Sequence, residues 1–180
     1  MGSDSSFGQV PLSNIHIYST KQSKWFTQSL DASATVPLPR FAFCTALKSA
    51  PDGSSHQIYM FSGIEATPGI SYGNSPTAKS SEVWVLTIPT FEWIKLDWSG
   101  STTGDPMGRI TPSCVTISEH YVLSYGGWKS NGYSDTVECD DKGNAALLYD
   151  LNTLTWTDQF EPNQETYKVP QKVYQMVGGK

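Results

Sequence analysis

The 180-residue sequence predicts an all-β fold built from repeated four-stranded antiparallel units. Three observations lead there. An aromatic or large apolar residue is followed seven positions later by Trp in three places, Tyr18/Trp25, Leu86/Trp93 and Tyr149/Trp156. A small-residue doublet closes an apolar run upstream of the second and third pairs, Ser62-Gly63 after Ile58–Phe61 and Gly126-Gly127 after Tyr121–Tyr125. Charged residues make up only 16% against 12% aromatics, with 15 Gly and 11 Pro, the balance of strands joined by tight turns.

The elements follow in order along the chain. Residues 1–9 are polar, lack the apolar core of a secretory signal and predict a disordered N-terminal segment. Ile15–Ser19 reads as a strand, followed by a short turn and a strand opening at Trp25, so that 10–30 is a half unit. Arg40 precedes the apolar run Phe41–Leu47, a second strand ends at Gly63, Val83–Thr87 is a third and Trp93 opens a fourth. This is a complete unit over 39–98. Arg109, Pro112–Ile117, Tyr121–Gly127, Ala146–Asp150 and Trp156 repeat the order over 109–160, and Tyr167–Gly179 supplies one or two closing strands. The interval from the last doublet Gly to Trp is 30 residues in one copy and 29 in the other, whereas Trp recurs after 68 and then 63. The excess therefore sits in loops. Repetition in register is the strong signal, because either feature alone arises by chance.

Each repeated residue has a structural reason. Gly63, Gly126 and Gly127 permit positive φ and close backbone approach where the chain leaves the sheet. The pairs Tyr18/Trp25, Leu86/Trp93 and Tyr149/Trp156 supply area for packing one sheet on the next, since a lone four-stranded sheet cannot bury both faces. Arg40 and Arg109 are placed to bond carbonyls or a carboxylate between units.

The order Arg, strand, strand ending in Gly, strand with Tyr or Leu, strand with Trp resembles the kelch repeat. Within that family the chain resembles the cell-surface kelch-repeat proteins of filamentous fungi. The residues that carry this are Phe43-Cys44, Val85–Trp93, Cys139–Gly143, Leu148–Trp156 and Tyr167–Gly179. The resemblance covers about Pro39 to Gly179 and implies an extracellular β-propeller that precedes a transmembrane helix. The signal, the early blades and the membrane helix of such proteins are not in this sequence, so a cytoplasmic location is the alternative. About three units form an incomplete propeller. The chain is then either a fragment of a longer propeller, the favoured expectation, or half of a homodimer that closes a six-bladed ring.

Three cysteines, Cys44, Cys114 and Cys139, have no metal-site spacing. Cys114 opens the first strand of its unit and Cys139 ends the long loop after the second, at the same end of a meander. A Cys114–Cys139 disulfide is the candidate in an oxidising compartment. The alternative is that both are unpaired, and Cys44 reads as a small buried hydrophobe.

Loops of a meander alternate ends, which puts Ile64–Ser81, Trp128–Asn144, Asp31–Leu38 and Asp97–Gly108 on one face. Long loops on a rigid scaffold carry recognition. Tyr72, Trp98, Trp128 and Tyr133 are candidate contact aromatics, with Asn74, Asn131 and Asp135 as polar partners. Trp98 and Trp128 read equally as caps on blade edges. The acidic cluster Asp135, Glu138, Asp140 and Asp141 with Asn144 matches no EF-hand and reads as a solvated turn.

The net charge of −5 without a basic stripe argues against a nucleic-acid binder. Apolar runs are strand-sized, with no membrane span. His16, His56 and His120 have no ligand spacing, and no nucleophile elbow, Walker loop or zincin motif is present. The sequence therefore predicts neither catalytic residues, nor a metal, nor a cofactor. It predicts an interaction module with a protein partner, alternatively a cell-wall glycan that stacks on Trp128 or Tyr133. A copper oxidase resembling galactose oxidase is the remote enzymatic reading.

Overall fold

The structure, a computed structural model, describes residues 11–31, 33–65, 82–96, 109–129, 145–162 and 165–177. β1 (Asn14–Ser19) and β2 (Lys24–Ser29) form an antiparallel hairpin. β4 (Cys44–Ser49), β5 (His56–Phe61), β7 (Val83–Ile88) and β8 (Glu92–Leu96) form the first complete blade, a meander. β10 (Ser113–Ile117), β11 (Tyr121–Tyr125), β13 (Ala146–Asp150) and β14 (Thr155–Thr157) form the second. Two short ribbons complete the sheet structure. One pairs β3 (Arg40–Phe41) with β6 (Ile64–Glu65), the other β9 (Arg109–Ile110) with β12 (Trp128–Lys129). The described fold is nearly all β, with antiparallel four-stranded sheets consistent with propeller blades.

The seven-residue spacing has a direct geometric meaning. Tyr18 lies opposite Trp25, Leu86 opposite Trp93 and Tyr149 opposite Trp156 in the antiparallel register. Each pair closes a hairpin with a four-residue turn, and the fourth turn residue is left-handed in all three: Ser23 at φ 50°, Phe91 at 57° and Leu154 at 59°. Such a conformation is costly for Phe or Leu and persists only where the surroundings impose it. Side-chain oxygens help to impose it. Ser19 Oγ accepts from the Gln22 amide, Thr87 Oγ1 meets Thr90 Oγ1 at 2.6 Å, and Asp150 Oδ1 accepts from the Asn152 and Thr153 amides. These are the short-chain polar residues that hold turns by bonding their own backbone.

The doublets mark where each blade gives way to its ribbon. The strand opposite kinks too, with Ala42 and Thr111 at φ 59° and 55°, two residues after Arg40 and Arg109. The two doublet positions differ. A Cβ on Gly127 would lie 2.6 Å from the Ile110 carbonyl oxygen, and one on Gly63 would lie 2.9 Å from that of Phe41. At Gly126 nothing lies within 4 Å, and the equivalent position in the first blade is Ser62 at φ 60°. Only the second position therefore demands glycine for space.

The first blade is buried on both faces. Phe61, Val83 and Leu96, with Tyr59, Val85 and Ile94, alternate onto one face and meet Val122, Leu147, Tyr149 and Trp156 of the second blade. Met60, Trp84, Leu86 and Trp93 alternate onto the other, against Leu12, Ile15, Leu30 and Val36 of the N-terminal hairpin and its flanks. Phe61 meets both Tyr149 and Trp156 edge-on, at 5.3 and 5.8 Å between ring centroids, a favoured aromatic arrangement.

Two expectations change. Cys114 is bonded to Cys44 of the neighbouring blade, not to Cys139, with a Cα–Cα distance of 5.5 Å. Cys139 lies outside the described residues. The reason is strand parity. Cys44 faces Phe61, immediately before the first doublet, whereas Cys114 faces Ser124, one position further from the second. The two therefore project from opposite faces of equivalent strands and meet between the blades. The closing strands expected over 167–179 are replaced by α1 (Gln171–Val177). Val169, Val173 and Val177 recur every four residues, a helical stripe, and the Pro170 carbonyl accepts from the Val173 and Tyr174 amides. Val169 and Val173 are buried in the inter-blade core, and Val177 packs beside it.

The two doublet positions should separate in a stability measurement. Gly127→Ala is expected to cost on the order of 3 kcal/mol in chemical denaturation, and Gly126→Ser about 1 kcal/mol. Peptide mapping without reduction should recover Cys44 linked to Cys114. Because the bridge spans 70 residues, reducing it should cost about 4 kcal/mol. A Cys114–Cys139 peptide would instead restore the pairing expected from sequence.

Candidate interaction surface

The two ribbons are the roots of the longest connections, 66–81 and 130–144, and buried arginines fix both. Arg40 has a side chain 1% exposed. Its Nη1 donates to the Ser62 carbonyl at 3.5 Å, its Nη2 to Glu82 Oε2 at 3.3 Å and its Nε to the Leu38 carbonyl. Arg109 Nη1 donates to the Gly126 carbonyl at 2.8 Å. Each arginine thus holds the carbonyl of the first doublet residue in its own unit. These bonds to the doublet carbonyls lie within one unit.

Glu82 is the electrostatic centre of the first anchor. It accepts from Arg40, from Trp84 Nε1 at 3.2 Å and from Lys95 Nζ, and Lys95 also sits 5.8 Å from the Trp84 ring. Burial pushes the Glu82 carboxyl up, but the hydrogen bonds from Lys95, Trp84 and Arg40 outweigh it and hold it below the usual carboxylate range.

The ribbons lie side by side. The Thr111 amide donates to the Ala42 carbonyl at 2.9 Å and the Gly63 amide to the Arg109 carbonyl at 3.4 Å. Loops 66–81 and 130–144 therefore leave adjacent points on the two blades. Tyr72, Asn74, Trp98, Asn131, Tyr133 and Asp135 lie outside the described residues. Trp128 opens β12, where its backbone pairs with Ile110.

Several titratable groups elsewhere make structural bonds. His16 bonds Thr27 and His56 bonds Ser49, both exposed, while buried His120 places Nδ1 2.9 Å from the Glu165 carbonyl. Tyr59 and Tyr167 share a buried hydroxyl pair at 2.9 Å, extended through Gln57 to Ser55. Burial pushes the Tyr167 phenol up to about 12 and the Tyr59 phenol well above its ordinary value. Both stay protonated and serve as hydrogen-bonding pins. Among the described residues no three of His, Cys, Asp and Glu are grouped to hold a metal ion, and no helix is long and apolar enough to cross a membrane.

Sequence reasoning missed two inter-blade features, the Cys44–Cys114 bridge and the docking of Tyr167. Aligning the units on their doublets gives the strand parity that reveals the first. No repeat signal marks the second.

The Glu82 anchor makes an acid-sensitivity prediction. A carboxyl with a depressed folded-state pKa contributes stability above its unfolded value, near 4.3, and loses it as pH falls through the folded one. Glu82→Gln should cost about 2 kcal/mol at pH 7. The deficit should shrink steadily below pH 4.3 in denaturation curves recorded across the acid range.

No family model matches the chain. A "Kelch repeat-containing protein" of Arthroderma benhamiae is 28% identical over 199 aligned positions, which cover 99% of this chain and 27% of that protein. The chain thus spans about a quarter of the length of this curated relative. This relationship, with two four-stranded blades that each run Arg, doublet and Trp in order, supports assignment of the chain to the kelch-repeat family.

Proposed function

We propose that the chain is a non-catalytic recognition module that binds a protein partner through loops 66–81 and 130–144. One observation carries this reading. The two ribbons that root these loops are hydrogen-bonded to one another and each is held by a buried arginine. A fixed base shared by two long loops is the kind of scaffold on which recognition residues vary while the base is kept. His16, His56 and His120 and the Tyr59 and Tyr167 phenols, by contrast, make structural bonds. The Cys44–Cys114 bridge supports an oxidising compartment, in keeping with a cell-surface protein.

A photoreactive residue at Tyr133 should crosslink a partner that the same probe at Gly53, in a short turn, does not. Trp128→Ala should weaken that partner's binding about tenfold. Binding to a sugar array that Trp128→Ala abolishes would transfer the site to a cell-wall glycan. Copper-dependent peroxide production would overturn the non-catalytic reading.

A further inference from the structure

The two blades are joined by different means at their two ends. At the short turns, Lys48 Nζ donates to the Ser118 carbonyl at 3.2 Å, and Tyr167, Val169 and Val173 of the tail are buried in the core between the blades. In that core Phe61 meets Tyr149 and Trp156. At the ribbon end, the first strands β4 and β10 are linked covalently by Cys44–Cys114. Cys44 lies two residues after Ala42 and Cys114 three after Thr111, the pair whose backbone bond ties one ribbon to the other.

The bridge is therefore the covalent part of the base shared by loops 66–81 and 130–144. Both cysteines are half-buried, at the edge of the inter-blade core rather than within it. Unlike the backbone bonds beside it, this link can be opened and remade by thiol chemistry with the sequence unchanged. Opening it leaves the core contacts, the tail and the Lys48 bond in place. The junction of the ribbons then rests on the Thr111–Ala42 and Gly63–Arg109 backbone bonds without a covalent tie, and such bonds have modest net worth in water.

We propose that Cys44–Cys114 is a redox-operated clamp on this loop base. Oxidised, it holds the two ribbons side by side; reduced, it lets them part while the blades stay docked. The co-reactant is a dithiol. One of its thiolates attacks a bridge sulfur and the other cysteine leaves as a thiolate, after which the second thiol of the reductant resolves the mixed disulfide. Two electrons and two protons pass to Cys44 and Cys114, and the dithiol becomes a disulfide. The consequence for partner binding rests on the loop surface; the clamp itself does not.

Amide hydrogen exchange on the 180-residue chain, with and without dithiothreitol, tests the clamp. Reduction should speed exchange at Thr111 and Gly63 about tenfold or more, while amides of β5 and β11, and that of Leu151 on the His120 carbonyl, keep their rates. Reoxidation should restore slow exchange. Cys44→Ser/Cys114→Ser should exchange fast at the ribbons without reductant and show no response to it; if that variant unfolds, the reduced wild-type chain still decides. The clamp is overturned if reduction leaves Thr111 and Gly63 unchanged, or if it speeds exchange alike across both blades, as loss of a plain structural staple would. Crosslinking from the photoreactive residue at Tyr133, run in both redox states, reads the loop surface separately. A partner captured equally in both states overturns redox control of binding. Capture in neither state counts against the loop surface, and the exchange pattern decides the clamp without it.

Discussion

Burying both faces of the first blade is the constraint on which the rest of this structure depends. A four-stranded meander whose strands are apolar at successive positions, as Val83–Leu86 is, has an apolar set on each side, and one sheet alone can cover neither. The first blade resolves this by lying between two neighbours, with Phe61, Val83 and Tyr59 turned one way and Met60, Trp84 and Leu86 the other. Each large side chain so buried contributes about 1.5–3 kcal/mol. The core therefore belongs to the spaces between units rather than to any one unit, as expected where repeats stack only on neighbours. The cross-strand Trp pair is the fixed element of each such space. Its seven-residue spacing sets the turn, the turn sets the register, and the register decides which residues face the preceding unit.

Much of this was legible in the sequence because it is local. Tyr18/Trp25, Leu86/Trp93 and Tyr149/Trp156 are hairpin neighbours, so a spacing alone captures their contact. The doublets were legible as breaks, although the distinction between Gly127, which has no room for a side chain, and Gly126, which does, needs the opposing strand. The left-handed Phe91 and Leu154 were invisible, since neither residue type signals that conformation. Long-range pairings were lost for a different reason. Cys44 and Cys114 meet only because their strands occupy adjacent blades in a particular parity, which single-strand reasoning does not fix. The tail was misread because Tyr167 and Val169 fit strand alternation, whereas Val169, Val173 and Val177 fit a helix. The deciding factor is tertiary, since Val173 completes a core formed by two blades.

The described ends of the blades are held by different means, and this bears on function. At the short turns, fixation is dense. Asp150 and Thr87 bond their own turns, Asn152 bonds both the Thr166 carbonyl and the Lys168 amide, and Tyr167 inserts its hydroxyl between Tyr59 and Gln57. A buried polar group is stabilising only when its partners are all in place, so this chain of hydroxyls and amide admits one docking position for the tail. At the ribbon end, the described fixation centres on the doublet and its arginine, with Glu82 beside Arg40 and two backbone bonds between the ribbons. Changing the length of a loop rooted here costs the blades little, because closing a longer loop adds only about 0.6 kcal/mol per doubling of its length. A scaffold that fixes the base of a loop keeps the blade interface intact while the loop sequence changes. That partition gives the loop end, rather than the turn end, the physical latitude to acquire a binding specificity.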